Sequence, residues 1–291
     1  MTIQETLIIA PTVHVVGQTS FNTRGLDGWI EFNRHNEAET YITSPIKHIR
    51  DQDQLVSPEH DGGELMAEFA GRFCYDSFQK GRASDEYIGN ILEMRHGSVL
   101  EHVTYNLAIS GVSRSLTHEL IRHRAGFAVS QESQRYVDAK SIKFVVPPIC
   151  LDLCNGDLND PMIQEFRDDC EKALGAYARL QARIAEKFAL RGDEDASSIK
   201  LTTMQKKRAM EAARALLPNA SETKLVWTGN LRALRHFCEL RGSDHADLEI
   251  RRLAVAITEA MMDLAPFAFA DSKIVAGDCG VAVTSFAHSK V

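Results

Sequence analysis

The chain has 291 residues, 44% of them hydrophobic and 25% charged, with a net charge of -7. These are ordinary globular values, and they exclude a disordered chain, a coiled coil and a collagen-like fibre. A chain of this length buries roughly 75% of its unfolded surface and needs no disulfide or metal staple. The acidic balance argues against a general nucleic-acid-binding surface, while leaving room for a local basic pocket. Cysteine is sparse: Cys74, Cys150, Cys154, Cys170, Cys238 and Cys279. Only Cys150 and Cys154 lie close together, and no second pair with zinc-type spacing follows, so the expectation is reduced thiols in a cytoplasmic protein. No positive leader precedes an apolar run near the start, and no apolar stretch is long enough for a membrane span, so no membrane partner is expected.

Residues 1–60 are loop-rich, punctuated by Gly25, Gly28, Pro45 and Pro58. They read as an N-terminal extension packed partly on the core. A main domain over 61–268 and a C-terminal tail over 269–291 complete the expected organisation. Residues 64–73 and 84–95 have helical spacing. Residues 103–111 alternate cleanly, with Val103, Tyr105, Leu107 and Ile109 on one face, which predicts a half-buried strand. A helix capped by Ser113 or Ser115 should follow and end near 124–126. Residues 142–146 read as a strand stopped by Pro147 and Pro148. Apolar residues recur at helical spacing through 163–190. A charged turn at 191–195 leads to a helix over 206–217, stopped by Pro218. A short strand at 225–228 precedes helices over 231–240 and 247–264, and the tail carries no clear period. The fold class expected is α+β, a single domain with one sheet covered by helices.

No phosphate-binding glycine loop, dinucleotide-binding glycine fingerprint, zinc-protease motif or nucleophile elbow is present. Chemistry concentrates instead between Leu120 and Val137. Arg122, His123 and Arg124 fall at the expected helix end, where successive side chains fan out by about 100°. Three such cations suit a junction between two anionic ligands, or between a ligand and another subunit. Arginine is the side chain for bidentate phosphate contact. Ser130, Gln131 and Ser133 then offer neutral donors, and Arg135 adds a further cation. The bland alternative is a solvated basic helix end. Upstream, His96 and His102 flank a loop that enters the alternating strand. Downstream, Asn230, His236 and Arg241 sit at the ends of one predicted helix. Arg214, taken alone, reads as a surface salt-bridge partner.

These pieces converge on one resemblance. The Arg-His-Arg triplet, eight intervening residues and then Ser133-Gln134-Arg135-Tyr136 resemble the signature of the flavin-dependent thymidylate synthase family. Three further blocks stand in the matching order: GRFCYDS at 71–77, HGSVLEHV at 96–103 and LRGSDHADLEIR at 240–251. The resemblance implies an α+β fold with an antiparallel sheet flanked by helices, assembled as a homotetramer with active sites at subunit interfaces. It implies FAD bound without a glycine loop, dUMP and 5,10-methylenetetrahydrofolate as substrates, and NADPH to reduce the flavin.

It also implies roles for residues. His102, Thr104, Arg122, His123, Arg124, Gln131, Asn230, Leu231, Arg232 and His236 would bind cofactor. Glu119, Leu120, Ile121, Arg122, Gln131, Glu132, Ser133, Gln134, Arg135, Arg214 and Arg241 would form the dUMP pocket. Arg241 is the expected catalytic residue, stabilising negative charge on the uracil after loss of the N3 proton. Gln131 stands where some family members carry Glu.

No cysteine sits in the Pro-Cys-His setting of the other thymidylate synthase family, so no thiolate nucleophile is expected. Two readings of a different class compete. An RNA-binding module built on the arginines would show salt-dependent nucleic-acid binding and no flavin. A hydrolase built on His96, His102, His118 and His123 would need a metal, but His118 and His123 share no helix face. The expectation is no metal and no nucleic-acid partner.

Overall fold

A computed structural model describes residues 6–22, 24–26, 28–29, 63–75, 77, 82–139, 142–190 and 201–291. The elements run β1 (Leu7–Ile8), β2 (Thr12–Gln18), α1 (Gly63–Tyr75), α2 (Ser84–Glu93), a 3-10 helix (Gly97–His102), β3 (Thr104–Ser113), α3 (Arg114–Leu120), β4 (Phe127–Gln131) and β5 (Phe144–Val145). They continue with α4 (Pro148–Leu153), α5 (Pro161–Leu190), α6 (Thr203–Ala213), β6 (Glu222–Asn230), α7 (Leu231–Arg241), α8 (Leu248–Leu264), β7 (Ser272–Val275) and β8 (Val283–Phe286). The central sheet has four antiparallel strands in the order β2-β3-β6-β4. The antiparallel sheet among helices agrees with the expected α+β class. A parallel two-stranded pair, β1 with β5, stands apart from it.

Alternation builds the core. Val103, Tyr105, Leu107 and Ile109 are buried, as are Leu225 and Trp227 on β6. They pack against Leu231, Leu234 and Phe237 of α7 and Ile250, Leu253 and Ile257 of α8 in one cluster. Each such side chain contributes about 1.5–3 kcal/mol on leaving water. The helices begin where side chains satisfy their first amides. Ser113 Oγ accepts from Leu116 N, Asn230 Oδ1 from Ala233 N, and Asp247 from Glu249 N. These caps are each worth about 1 kcal/mol.

Several elements differ from the sequence expectation. Helix α3 ends at Leu120, not near 124–126. Its last turn tightens through Arg122 N→Glu119 O and His123 N→Leu120 O, both 3.1 Å, the short-range pattern of a closing helix. The chain must turn there to feed β4, an edge strand too short and too exposed to show a period. Residues 12–18 do more than pack on the core; they form a strand of the sheet, paired with β3. The loop at 97–102 is a 3-10 helix, Pro148 opens the short helix α4 with proline at its start, and the tail folds as the β7–β8 hairpin. Most of the expected N-terminal extension, over 30–60, and the charged turn at 191–195 lie outside the described residues.

Glu64, 7% exposed in the first turn of α1, accepts hydrogen bonds from Ala268 N and Phe267 N. Burial outweighs these bonds and pushes its carboxyl from 4.5 up to about 7. A folded-state pKa above the unfolded one stabilises at low pH and is lost as pH rises through the folded value. Stability should therefore fall between about pH 4.5 and 7 through this group. Glu64→Gln should flatten that slope in chemical denaturation at pH 5 and pH 8; an unchanged slope would remove Glu64 from the account.

Candidate active site

Two strand-to-helix junctions meet at one end of the sheet. Thr104, at the start of β3, pairs with Asn230 at the end of β6, and Phe127, at the start of β4, pairs with Gly229. Backbone bonds join the pieces: Leu231 N donates to Val103 O at 2.8 Å, and Asn230 N donates to Gly126 O at 3.0 Å. His102, Thr104, Asn230 and Leu231 thus share one rim with the turn that carries Arg122, His123 and Arg124. Gly126 makes the turn possible. Its φ is +76°, and a Cβ there would lie 2.7 Å from Asn230 Nδ2 and 2.8 Å from Ala233 Cβ, so only glycine fits.

The triplet does not ride a helix, yet its side chains do diverge. Arg122 and Arg124 are exposed, while His123 is half-buried. Neither arginine has a carboxylate partner among the described residues. His123 stands edge-on to Phe237 at 5.1 Å and to Phe127 at 6.4 Å. Phe127 stacks on Trp227 at 4.1 Å, which completes an aromatic wall. Beside it opens a cavity of about 290 Å³ lined by Leu120, His123, Arg124, Phe127 and Trp227 among others. That volume is at the small end of ligand sites, so one chain encloses only part of a ligand the size of a dinucleotide.

Arg241, at the C-terminal end of α7, donates from Nε to His123 Nε2 at 2.9 Å, and its Nη1 lies 3.3 Å from Glu119 Oε2. Tertiary folding brings these residues together from opposite halves of the chain. Burial, then the charge of Arg241, then His236 hold the His123 imidazole down to about 4. It is therefore neutral at physiological pH and accepts the arginine's proton donor at Nε2, which leaves the ring proton on Nδ1. His236 itself is exposed on α7.

Gln131 closes β4, and Glu132, Ser133, Gln134 and Arg135 follow at that other end of the strand. Gln131 Nε2 donates to Thr117 Oγ1 and Thr223 Oγ1, both at 3.1 Å, which ties the strand to α3 and β6. Glu132 N donates to Lys224 O, and Ser133 O accepts from Tyr136 N and Val137 N to close a turn that contains Gln134. Ser133 Oγ accepts from Arg135 N at 3.4 Å. Arg135 reaches Glu211 at 3.4 Å with both side chains about 40% exposed, a contact of little strength. Arg214 is exposed just after α6. Arg114, not singled out in the sequence, lies near enough that the charge of Arg214, added to burial, lowers its guanidinium pKa. Ile121 is 49% exposed and Leu120 is buried. Among the described residues, no hydrogen bond or ion pair links Arg241, His123 or Glu119 to Ser133, Arg135 or Arg214.

Arg232 differs from the other rim residues. Its Nε donates to Val291 O at 3.1 Å and its Nη1 pairs with Glu101. Sequence reasoning placed a helix end near Gly126 but missed the Phe127–Trp227 stack, for which no spacing signal exists. Burial raises the thiol of Cys238 to about 12 and that of Cys170 to about 11. Among the described residues, no group of three or more His, Cys, Asp or Glu is placed to hold a metal.

Comparison with known proteins completes the picture. A family model described as "Thymidylate synthase complementing protein" matches residues 54–267. A flavin-dependent thymidylate synthase from Mycobacterium avium (strain 104) is 45% identical over 223 residues, 75% of this chain and 83% of that protein. One from Mycobacterium leprae (strain TN) is 42% identical over 239 residues, 81% of this chain and 90% of that protein. A solved UMP/dUMP methylase, PolB from Streptomyces cacaoi bound with 5-Br dUMP, has a TM-score of 0.59 at 20% identity, covering 91% of this chain and 95% of that one. The last likeness is one of fold.

The state of His123 has a direct check. Its unfolded form takes a proton near 6.5 and its folded form only near 4, so stability is lost as pH falls through that window. In an NMR titration the His123 ring should keep its neutral shifts from pH 8 to about pH 5. A midpoint near the ordinary histidine value would contradict the aromatic and cationic surroundings described above.

Proposed function

The chain belongs to the flavin-dependent thymidylate synthase family, and from that premise we propose how its residues divide the work. The reaction is the reductive methylation of dUMP to dTMP, with 5,10-methylenetetrahydrofolate giving the carbon and tetrahydrofolate released. Bound FAD, recharged by NADPH, supplies the hydride.

Arg241 is the catalytic residue of this reading. Its guanidinium, set against the uracil ring, stabilises the negative charge left when N3 loses its proton. A fixed cation in a partly dry site does this far better than water does. The observation that carries the assignment is the Arg241–His123 hydrogen bond. A neutral imidazole accepts from Nε, so Arg241 keeps its full charge and its Nη groups remain for the substrate and Glu119. Leu120 and Ile121 flank the ring on the adjoining turn.

Arg122, His123 and Arg124, with His102, Thr104, Asn230, Leu231, Arg232 and His236, hold the flavin. The fit rests on two exposed arginines for its diphosphate and an aromatic wall beside them. Gln131 contacts both ligands from β4. Glu132, Ser133, Gln134, Arg135 and Arg214 receive dUMP, with the two arginines neutralising its dianionic phosphate. Arg114 adds a third cation near Arg214.

Active sites shared between subunits of a homotetramer follow from the same reading. The triplet precedes β4 and the phosphate-binding turn follows it, and β4 spans roughly 17 Å. A second copy brings the missing half. Exposed Ile121, Val129 and Val226, each between 44% and 49% exposed, supply apolar surface for such a contact. A cytoplasmic location suits the free cysteines, and among the described residues no helix is long and apolar enough to cross a membrane.

The test is the visible spectrum of the purified protein before and after adding dUMP. Flavin bands that shift on addition place both ligands in one site; protein that stays colourless when given FAD overturns the flavin assignments. Arg241→Ala should retain flavin and lose about 10²–10³-fold in turnover. Unchanged turnover would refute the role given to Arg241.

A further inference from the structure

The segment from residue 268 onward lies outside the residues matched by the family model, yet it is bound to α7, whose end carries Arg241, and to α8. Arg235 of α7 is 2% exposed. Its Nη1 donates to Ala268 O at 2.6 Å and to Asp271 Oδ1 at 2.7 Å, and its Nη2 to Asp271 Oδ2 at 2.7 Å and His288 O at 2.8 Å. Arg251 of α8, also 2% exposed, reaches Asp278. Charge-assisted, forked contacts of this kind fix direction as well as distance.

The hairpin that they hold meets the end of α7, where Arg241 sits. Thr284 N donates to Gly242 O at 2.8 Å, and Thr284 Oγ1 donates to Cys238 O at 2.7 Å. The last carbonyls of a helix have no partners within it. Here Cys238 O accepts from the capping amide of Gly242 at 2.9 Å as well, so β8 adds a second donor to it and takes Gly242 O, on either side of Arg241. The fit is close: a Cβ on Gly242 would fall within van der Waals radii of Thr284 Oγ1 and Cys238 O. Arg241 of the same turn donates to His123 Nε2.

We propose that the C-terminal hairpin is a brace for the catalytic arginine and that Thr284 is a positioning residue of the reaction. By holding Cys238 O and Gly242 O, Thr284 fixes the final turn of α7, so that the Arg241 guanidinium arrives at the uracil at the reacting distance. The proposal rests on the assignment of Arg241 above.

Thr284→Val keeps the backbone donor and the shape but removes the hydroxyl. A misplacement near 1 Å at a reacting group lowers rate by about 10²-fold, so kcat should fall about 10- to 100-fold. KM for dUMP should move less than about threefold, because phosphate binding lies elsewhere. Flavin content should match the unmodified protein, and Thr284→Ser should restore kcat. Thr284→Ala should behave as the valine variant does and serves where valine impairs folding. Normal kcat in both variants overturns the brace, as does a loss of kcat that only follows loss of flavin. Arg241→Ala, run alongside, separates the two ideas. If it turns over normally, the arginine assignment fails first; if it is inactive while the Thr284 variants are not, only the brace fails.

Discussion

A neutral histidine beside an arginine is the constraint around which this structure is arranged. The Arg241–His123 bond exists only while His123 lacks its second proton, because a protonated imidazole would offer a donor to a donor. Burial against Phe237 and Phe127 makes that state stable, and the adjacent cation reinforces it. The same wall that shapes the cavity therefore sets the protonation of the group that aims the arginine. The charge of Arg241, the shape of the pocket and the ring tautomer of His123 are one arrangement.

The framework behind that contact uses buried charge for geometry. In the block at 240–251, Arg241 bonds to His123 and Glu119. Glu249 accepts from Ser113 N and Oγ at the cap of α3, and Arg251 gathers Ala246 O and Asp278. Burying such groups is unfavourable unless every one finds partners. Arg251 Nε is buried without a hydrogen-bond partner, and the bonds that are made hold two helix starts and a tail in register. Polar groups of this stretch thus serve as scaffold between α3, α8 and the tail.

Sheet topology keeps the two sequence motifs apart. Strand β4 lies at an edge of the sheet, with the Arg-His-Arg turn at its start and the Ser-Gln-Arg turn at its end. A straight strand cannot fold its two ends onto one small ligand. Its exposed Val129 and its unpaired edge leave the strand to be covered from outside, which is in keeping with a site completed by another subunit.

Much of the fold was legible because burial writes a period into a sequence. The alternation through 103–111 and the helical spacing of 163–190 follow directly from having one face in the core. Gly126 and Pro148 marked turns, but a lone residue does not say where the chain goes next, and α3 was read one turn too long. The β7–β8 hairpin and β4 were not legible, since short strands held by backbone bonds need no pattern of their own. The sequence by itself determined the longer helices, the two inner strands β3 and β6 of the central sheet, the family resemblance and the residue types suited to an anionic ligand. Only the tertiary structure decided that Arg241 meets His123 and Glu119, that Arg235 and Arg251 are buried struts, and that Gln131 is tied to Thr117 and Thr223. Those outcomes depend on which parts of the chain become neighbours, across separations from 14 residues for Gln131 and Thr117 to 122 for Arg241 and Glu119, and local spacing carries no record of that.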